Sequence, residues 1–293
     1  MKLLTYLDGG REQLGLLRSG SVVPLESLGL LFADMNDLIL HATKEQLDAL
    51  ARAELASGGS SVQLSDVTVL APIPCPRQDV ICLGLNYAAH AEESARYHKR
   101  DFSRDDQDPP VYFSKRVNRA VGPDAPIDSH QELVQRLDYE VELAVILSKD
   151  AYRVKAQDAA DYIFGYTVFN DVSARDIQHR HKQWYRGKSL EGFTAMGPWI
   201  VTADEIAFPP HLSIQSRVNG ELRQDSNTSL QIFDIPYVLE ELTAGMRLLA
   251  GTIIATGTPA GVGMGFDPPK FLKPGDTVDC YIESIGTLHN VIE

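Results

Sequence analysis

A chain of 293 residues, 44% hydrophobic and 23% charged, is ordinary globular material, long enough for one large domain with a small attachment. Its net charge of −13 argues against nucleic acid or an anionic membrane as the main partner, though a local cluster of Arg and Lys can still receive a small anion. Cys75, Cys82 and Cys280 form no CxxC pair, no apolar run reaches the length of a membrane span, and "MKLLTYLDGG" meets Asp8 before any signal-peptide core. These features lead us to expect a soluble cytoplasmic protein with reduced thiols.

In chain order, residues 1–25 predict short strands with turns at "DGG" and "RSGS". "TKEQLDALARAEL" predicts a helix: Thr43 and Gln46 fit a capping box, and Leu47, Leu50, Ala51 and Leu55 fall at helical spacing. "ASGGSS" (56–61) then reads as a linker. With the strand-like "VQLSDVTVLAPIP" after it, the pattern predicts a small N-terminal α+β domain over 1–70 and a larger domain over 71–293. The larger part is rich in short strands: "VICLGL", "DYEVELAVIL", "IFGYTVFND", "LSIQSRVNGELRQ", "GTIIATG" and "DTVDCYI". Its best helix patterns are "AAHAEESARYH" and "IPYVLEELTAGMRLL", and "VNGEL" and "KPGD" are turn signals. A strand-rich α+β fold follows, without regular βαβ alternation.

One strand pattern raises a chemical question. Side chains alternate along a strand, so Tyr139, Val141, Leu143, Val145 and Leu147 share one face of "LDYEVELAVIL". Asp138, Glu140 and Glu142 share the other, which continues as Ala144 and Ile146. Neighbouring carboxylates on such a face lie roughly 6–7 Å apart and repel by about 2 kcal/mol at an effective dielectric near 20. A solvated edge strand would screen that repulsion; a hard divalent cation would turn it into ligation.

Further candidates lie on either side of this strand. "YTVFNDVSARDIQ" predicts a strand over 166–169 ending at Asn170-Asp171, then a short helix from "SARDIQ". Asp171 there fits either a metal ligand or a helix cap. Arg175 and Gln178, three apart, share a helical face that is either exposed or turned to one ligand. Lys188 sits in a glycine-flanked segment between aromatics, and His90 and Glu93 are spaced for a carboxylate to orient an imidazole. "GTIIATGTPAGVGMGF" is a strand running into a glycine-rich loop. It lacks both the GK[ST] ending and the dinucleotide fingerprint, and no helix is predicted after it, so no nucleotide cofactor is expected. "ARYHKRDFSRDDQDPP" is a dense charge run of the kind found in surface lids.

In combination and order, "GLNYAAHAEE", "DYEVELAVIL", "FGYTVFNDVSARDIQ", "GKSLEGFTAMGPW", "VNGELRQ", "IIATGTPAGVG" and "GDTVDCYIESIGTLHN" resemble the fumarylacetoacetate hydrolase (FAH) family over about residues 70–293. "RHKQWYRGKSL" and "GVGMGFDPPKFL" look most like bacterial members described as oxaloacetate decarboxylases or 2-hydroxyhepta-2,4-diene-1,7-dioate isomerases. The resemblance implies a mixed β-roll catalytic core and a homodimer. It implies Glu140, Glu142 and Asp171 as ligands of Mg²⁺ or Mn²⁺, with Ca²⁺ admissible, and leaves Asp138 outside the ligand set. Arg175, Gln178, Lys188 and Thr258 are then expected to hold the carboxylate and oxo groups of a small 2-oxo acid, with Lys188 also adding charge to the reaction. His90 with Glu93 is the expected lid-borne base pair. Fumarylacetoacetate-cleaving members carry a further glutamate downstream of the GT motif, whereas no Glu lies between Thr258 and Lys273, which points away from fumarylacetoacetate itself.

The favoured expectation is metal-dependent C–C cleavage in a 2-oxo acid, by acylpyruvate hydrolysis or oxaloacetate decarboxylation, through a stabilised enolate. Keto–enol tautomerisation or hydroxymuconate-type double-bond isomerisation would use the same site. A non-catalytic domain with a structural cation is the alternative from another class.

Overall fold

The computed structural model describes residues 1–56, 58–99 and 108–293. The chain opens with β1 (Lys2–Asp8), β2 (Arg11–Arg18) and β3 (Ser21–Pro24), then α1 (Met35–His41), α2 (Lys44–Leu55), β4 (Val62–Gln63) and β5 (Thr68–Val69). Next come β6 (Val80–Gly84), α3 (Ala88–Tyr97), β7 (Val111–Lys115), β8 (Pro126–Ile127), β9 (Leu137–Asp138), β10 (Val141–Leu147), β11 (Ile163–Asp171) and β12 (Ser173–Ala174). The last part holds α4 (Arg175–Arg180), α5 (Tyr185–Lys188), β13 (Thr194–Thr202), β14 (Ser213–Val218), β15 (Glu221–Asn227), α6 (Ile235–Thr243), β16 (Ile253–Ala255), β17 (Thr277–Ile282) and β18 (Gly286–Ile292).

A central sheet runs β4-β3-β2-β1-β13-β11-β10-β16-β6-β7, with β5 added on β1. A second sheet runs β15-β14-β17-β18-β8, and β9 with β12 forms a small third one. This is the strand-rich α+β architecture expected. The first 70 residues contain β1–β5, α1 and α2, and β1 pairs with β13 at Lys2↔Val201 and Leu3↔Ile200, so the central sheet is continuous through both regions.

β10 lies in the middle of that sheet and is buried on both faces. Val141, Leu143, Val145 and Leu147 join Tyr139 in a core shared with the second sheet and α6. Ala144 and Ile146 face a second core, where the side chains of α1 and α2 pack. The two-faced pattern read from the sequence holds over β10. Each large apolar side chain buried there contributes roughly 1.5–3 kcal/mol, which offsets the cost of placing acids beside them. α2 begins on the expected capping box of Thr43 and Gln46, and Asn219-Gly220, both at positive φ, turn β14 into β15.

Two local expectations are corrected. The strand predicted over 138–147 is interrupted: β9 ends at Asp138 and pairs with β12, while β10 starts at Val141. The backbone N–H groups of Glu140 and Val141 donate to the side chains of Asn170 (3.0 Å) and Gln224 (3.1 Å), so the chain leaves the ladder without unsatisfied donors. Asp171 does not cap the next helix; it is the last residue of β11, and α4 starts after Ala174 with no side-chain cap. β7, β13 and β18 were not foreseen as strands, nor α1 as a helix. β13 contains Gly197-Pro198, beside which its register with β11 shifts, and this disguises it as a loop. Residues 100–107 of the predicted charged lid lie outside the described residues.

Candidate active site

The ends of β10 and β11 bring Glu140, Glu142 and Asp171 together, with one carboxylate oxygen from each lying within 4.8 Å of the others. All are buried. The rigid strand pairing fixes them, because Val141 and Glu142 stand opposite Asn170 and Phe169, and the Asp171 N–H donates to the Glu140 carbonyl at 2.9 Å.

Cations converge on these acids from three elements. Lys188, at the end of α5, donates to Glu140 Oε2 at 2.6 Å and to Asp171 Oδ2 at 2.7 Å. Lys115, at the end of β7, donates to Asp171 Oδ1 and, at 3.0 Å, to the Val172 carbonyl. Arg175, the first residue of α4, donates from its terminal nitrogens to Glu140 Oε1 (2.6 Å) and Gln178 Oε1 (3.1 Å), and from Nε to Asp138 Oδ2 (2.9 Å). Asp138 is thereby placed behind Arg175 rather than among the acid trio.

The balance of charge matters here. Asp138, Glu140, Glu142 and Asp171 outnumber Lys115, Arg175 and Lys188 by one. Burial alone would raise the pKa of Glu140, but Arg175 and Lys188 hold it well below the usual carboxylate range. Burial, followed by the charges of Asp171 and Glu140, pushes Glu142 well above that range. Its one hydrogen bond among those described is from the Gly257 N–H at 2.8 Å to Oε2. Burial would lower the Lys188 pKa, yet Asp171 and Glu140 reverse the direction and raise it. Lys115 stays below its ordinary value because burial outweighs its pairing with Asp171. An all-carboxylate donor set, in which the charges of Asp171 and Glu140 help push Glu142 above its ordinary range, fits a hard divalent cation such as Mg²⁺ or Mn²⁺.

Glu140, Arg175, Gln178 and Lys188 line a cavity of about 380 Å³ that His90 of α3 also lines. Phe113, Trp184, His98, His179, His181, Lys182 and Met264 complete most of its wall. Apart from Glu140, its ionisable lining is Lys, Arg or His, so the cavity suits an anion. His90 Nδ1 lies 3.0 Å from Glu93 Oε2, and Glu93 Oε1 accepts the Gly261 N–H at 2.9 Å. Glu93 thus fixes one ring nitrogen and leaves Nε2 for chemistry.

The sequence-predicted residues lie in one neighbourhood; Thr258 is outside the cavity lining but follows Gly257, whose N–H donates to Glu142. The buried Thr258 hydroxyl donates to the Val141 carbonyl (2.9 Å) and accepts from Gln224 Nε2 (2.7 Å), which ties the chain after β16 to the start of β10. Lys115 was missed. Its signal in "VYFSK" is a lysine closing an apolar strand, and that strand itself was not recognised.

The chain is similar over most of its length to several known proteins. Over 235 residues, covering 80% of this chain and 76% of the relative, the chain is 47% identical to oxaloacetate tautomerase YisK of Bacillus subtilis (strain 168). A fumarylacetoacetate hydrolase from psychrophilic Exiguobacterium antarcticum superposes with TM-score 0.86 at 37% identity, covering 100% of this chain and 99% of that one. Maleylpyruvate hydrolase from Sphingobium sp. SYK-6, solved with manganese(II) and pyruvate, superposes with TM-score 0.79 at 29% identity, covering 100% and 98%. Residues 79–293 match the fumarylacetoacetate (FAA) hydrolase C-terminal family, and the chain belongs to that family.

Proposed function

We propose that this protein is a divalent-metal-dependent enzyme that interconverts the keto and enol forms of a small 2-oxo diacid of the oxaloacetate type. The observation that carries the reading is the joint lining of one cation-rich cavity by Glu140, Lys188, Arg175 and His90. Glu140, Glu142 and Asp171 would hold Mg²⁺ or Mn²⁺, which when bound supplies Lewis acidity for the charge developing on the 2-oxo oxygen. Arg175 and Gln178 bind and orient the carboxylate beside that oxo group. Lys188 adds positive charge, stabilising both the bound dianion and its enolate. His90, steadied by Glu93, takes the proton from C3, the 2-oxo oxygen of the resulting enolate takes up a proton from the imidazolium or from water to give the enol, and the reverse transfers restore the keto form. The 47% identity to an oxaloacetate tautomerase supports placing this reaction first.

Cleavage of a C–C bond, the reaction favoured from the motifs alone, becomes the second reading. It is supported by the likeness to a maleylpyruvate hydrolase. The same enolate would form, with His90 activating water against a C4 carbonyl in a hydrolase and no water needed in a decarboxylase. The test is a panel with added Mg²⁺ or Mn²⁺: oxaloacetate tautomerisation, oxaloacetate decarboxylation, acylpyruvate hydrolysis and isomerisation of a hydroxymuconate-type dienol. Tautomerisation should be fastest relative to its uncatalysed rate. Activity confined to acylpyruvates would put hydrolysis first, and no activity on any member would return the cation to a structural role. A cytoplasmic homodimer remains part of the proposal. Among the described residues, no helix is long and apolar enough to cross a membrane.

A further inference from the structure

We infer that the glycine-rich loop Gly261–Gly265 is a positioning device that sets the substrate-binding arginine and the proton-transferring histidine in one place through two buried carboxylates. The inference rests on the enolate reading above and assigns the loop and Asp138 a part in it.

The loop makes two separate attachments. At its start, the Gly261 N–H donates to Glu93 Oε1 at 2.9 Å, and the other oxygen of Glu93 holds His90. Two residues on, Gly263 N–H (2.6 Å) and Met264 N–H (3.1 Å) donate to the two oxygens of Asp138, which also accepts Arg175 Nε. Asp138 is fully buried and further accepts its neighbour's N–H, that of Tyr139, at 3.0 Å. Burial lifts its pKa and the Arg175 guanidinium opposes that rise. Its orientation leaves a terminal nitrogen of Arg175 on Glu140 and another on Gln178. One short loop therefore fixes the binding side of the cavity through Asp138 and the proton-transfer side through Glu93.

Glycine is required by space. A Cβ on Gly263 would stand 2.6 Å from Asp138 Oδ1, and one on Gly265 only 1.8 Å from Glu93 Oε1. At Gly265 the three nearest atoms are all in the Glu93 side chain, so alanine there displaces a flexible carboxylate and spares the backbone. That separation supplies the test.

The probe is pyruvate with the Mn²⁺-loaded protein, measuring its affinity by calorimetry and the exchange of its methyl protons with D₂O by NMR. Asp138→Asn keeps an acceptor for the loop but loses the anionic partner of Arg175. It should weaken pyruvate binding about tenfold or more, the scale of outer-partner loss, while saturated exchange changes by less than about threefold. Gly265→Ala should leave affinity within about threefold and slow saturated exchange roughly 10²-fold, as loss of general base catalysis does. It should add no further loss to His90→Ala. Mn²⁺ affinity should stay within about threefold in both variants. Equal losses of affinity and exchange in both variants, collapse of Mn²⁺ affinity in both, or a Gly265→Ala loss that persists fully in the His90→Ala background would overturn the assignment alone. A wild-type protein that binds Mn²⁺ but is inert toward pyruvate would overturn the 2-oxo acid reading, and this assignment with it.

Discussion

Lys188 Nζ lies 2.6 Å from Glu140 Oε2, with both side chains buried. The ammonium lines the cavity and also reaches Asp171 behind it, so one charge serves the acid trio and faces the substrate space. Removing it leaves Glu140 paired with Arg175 alone and Asp171 with Lys115 alone in low dielectric. Lys188→Ala should therefore destabilise the chelator-treated protein by up to about 3 kcal/mol, the lower end of the cost of breaking a buried pair, because both acids keep a second cation. Added Mn²⁺ should restore part of that loss, and turnover should remain strongly reduced. Lys188→Arg should rescue poorly, because a planar fork does not replace a compact ammonium in the space between Glu140 and Asp171. Thermal unfolding with chelator and with Mn²⁺, beside steady-state rates, decides this; full activity in the Arg variant would contradict it.

Glu142→Gln should nearly abolish turnover and weaken Mn²⁺ binding while leaving metal-free stability at least equal to wild type. Glu142 is the acid most strained by burial and by its neighbours Asp171 and Glu140, so neutralising it relieves repulsion. Calorimetric Mn²⁺ titration and chelator-treated unfolding are the measurements. Near-wild-type activity at modest Mn²⁺ would remove Glu142 from the ligand set.

His90→Ala separates the chemistries at one site. General base catalysis contributes about 10²–10⁴-fold, so proton-transfer reactions should fall by that factor. Loss of the C4 carboxylate from oxaloacetate needs no activated water and should fall much less. Glu93→Gln should act in the same direction but more mildly, since Glu93 orients the ring without taking the substrate proton. Rate constants for tautomerisation and decarboxylation at saturating Mn²⁺ test this. Equal losses in both would leave His90 with lid closure or enolate protonation in place of the C3 base role.

His179 offers a pH test. Burial, then the nearby charges of His98 and Arg175, lowers its pKa to about 4. A histidine held neutral in the fold contributes stability fully above its unfolded value near 6.5. That contribution is lost as pH falls through about 4, because the unfolded state takes the proton first. His179→Gln should therefore match wild type near neutral pH and lose less stability on acidification. The effect will be modest, since part of the side chain is exposed. Parallel denaturant curves at neutral and acidic pH check it; identical pH slopes would contradict it.

How far the sequence could be read follows from which forces are local. The α2 capping box, the Asn219-Gly220 turn and the alternation along Val141–Leu147 depend on neighbours in sequence, and each was legible. The break before Val141 was not, because its hydrogen bonds come from Asn170 and Gln224, 30 and 83 residues away. Lys115 reaches Asp171 across 56 residues and was invisible for the same reason. The glycine run after β16 was legible only as a loop without a nucleotide fingerprint, and its closeness to Glu93 and Asp138 appears only once the chain is folded. The resemblance already separated Glu140, Glu142 and Asp171 from Asp138 and from the His90–Glu93 pair; that Asp138 holds Arg175 is visible only in the fold.

The most direct test of the account is the rate of oxaloacetate keto–enol interconversion by one wild-type preparation, measured after exhaustive chelation and again after reloading with Mn²⁺. The rate should be close to the uncatalysed background in the stripped protein and recover fully on reloading, with no recovery in Glu142→Gln. A stripped wild-type protein that keeps its full rate would contradict a cation held by Glu140, Glu142 and Asp171 as the centre of the chemistry.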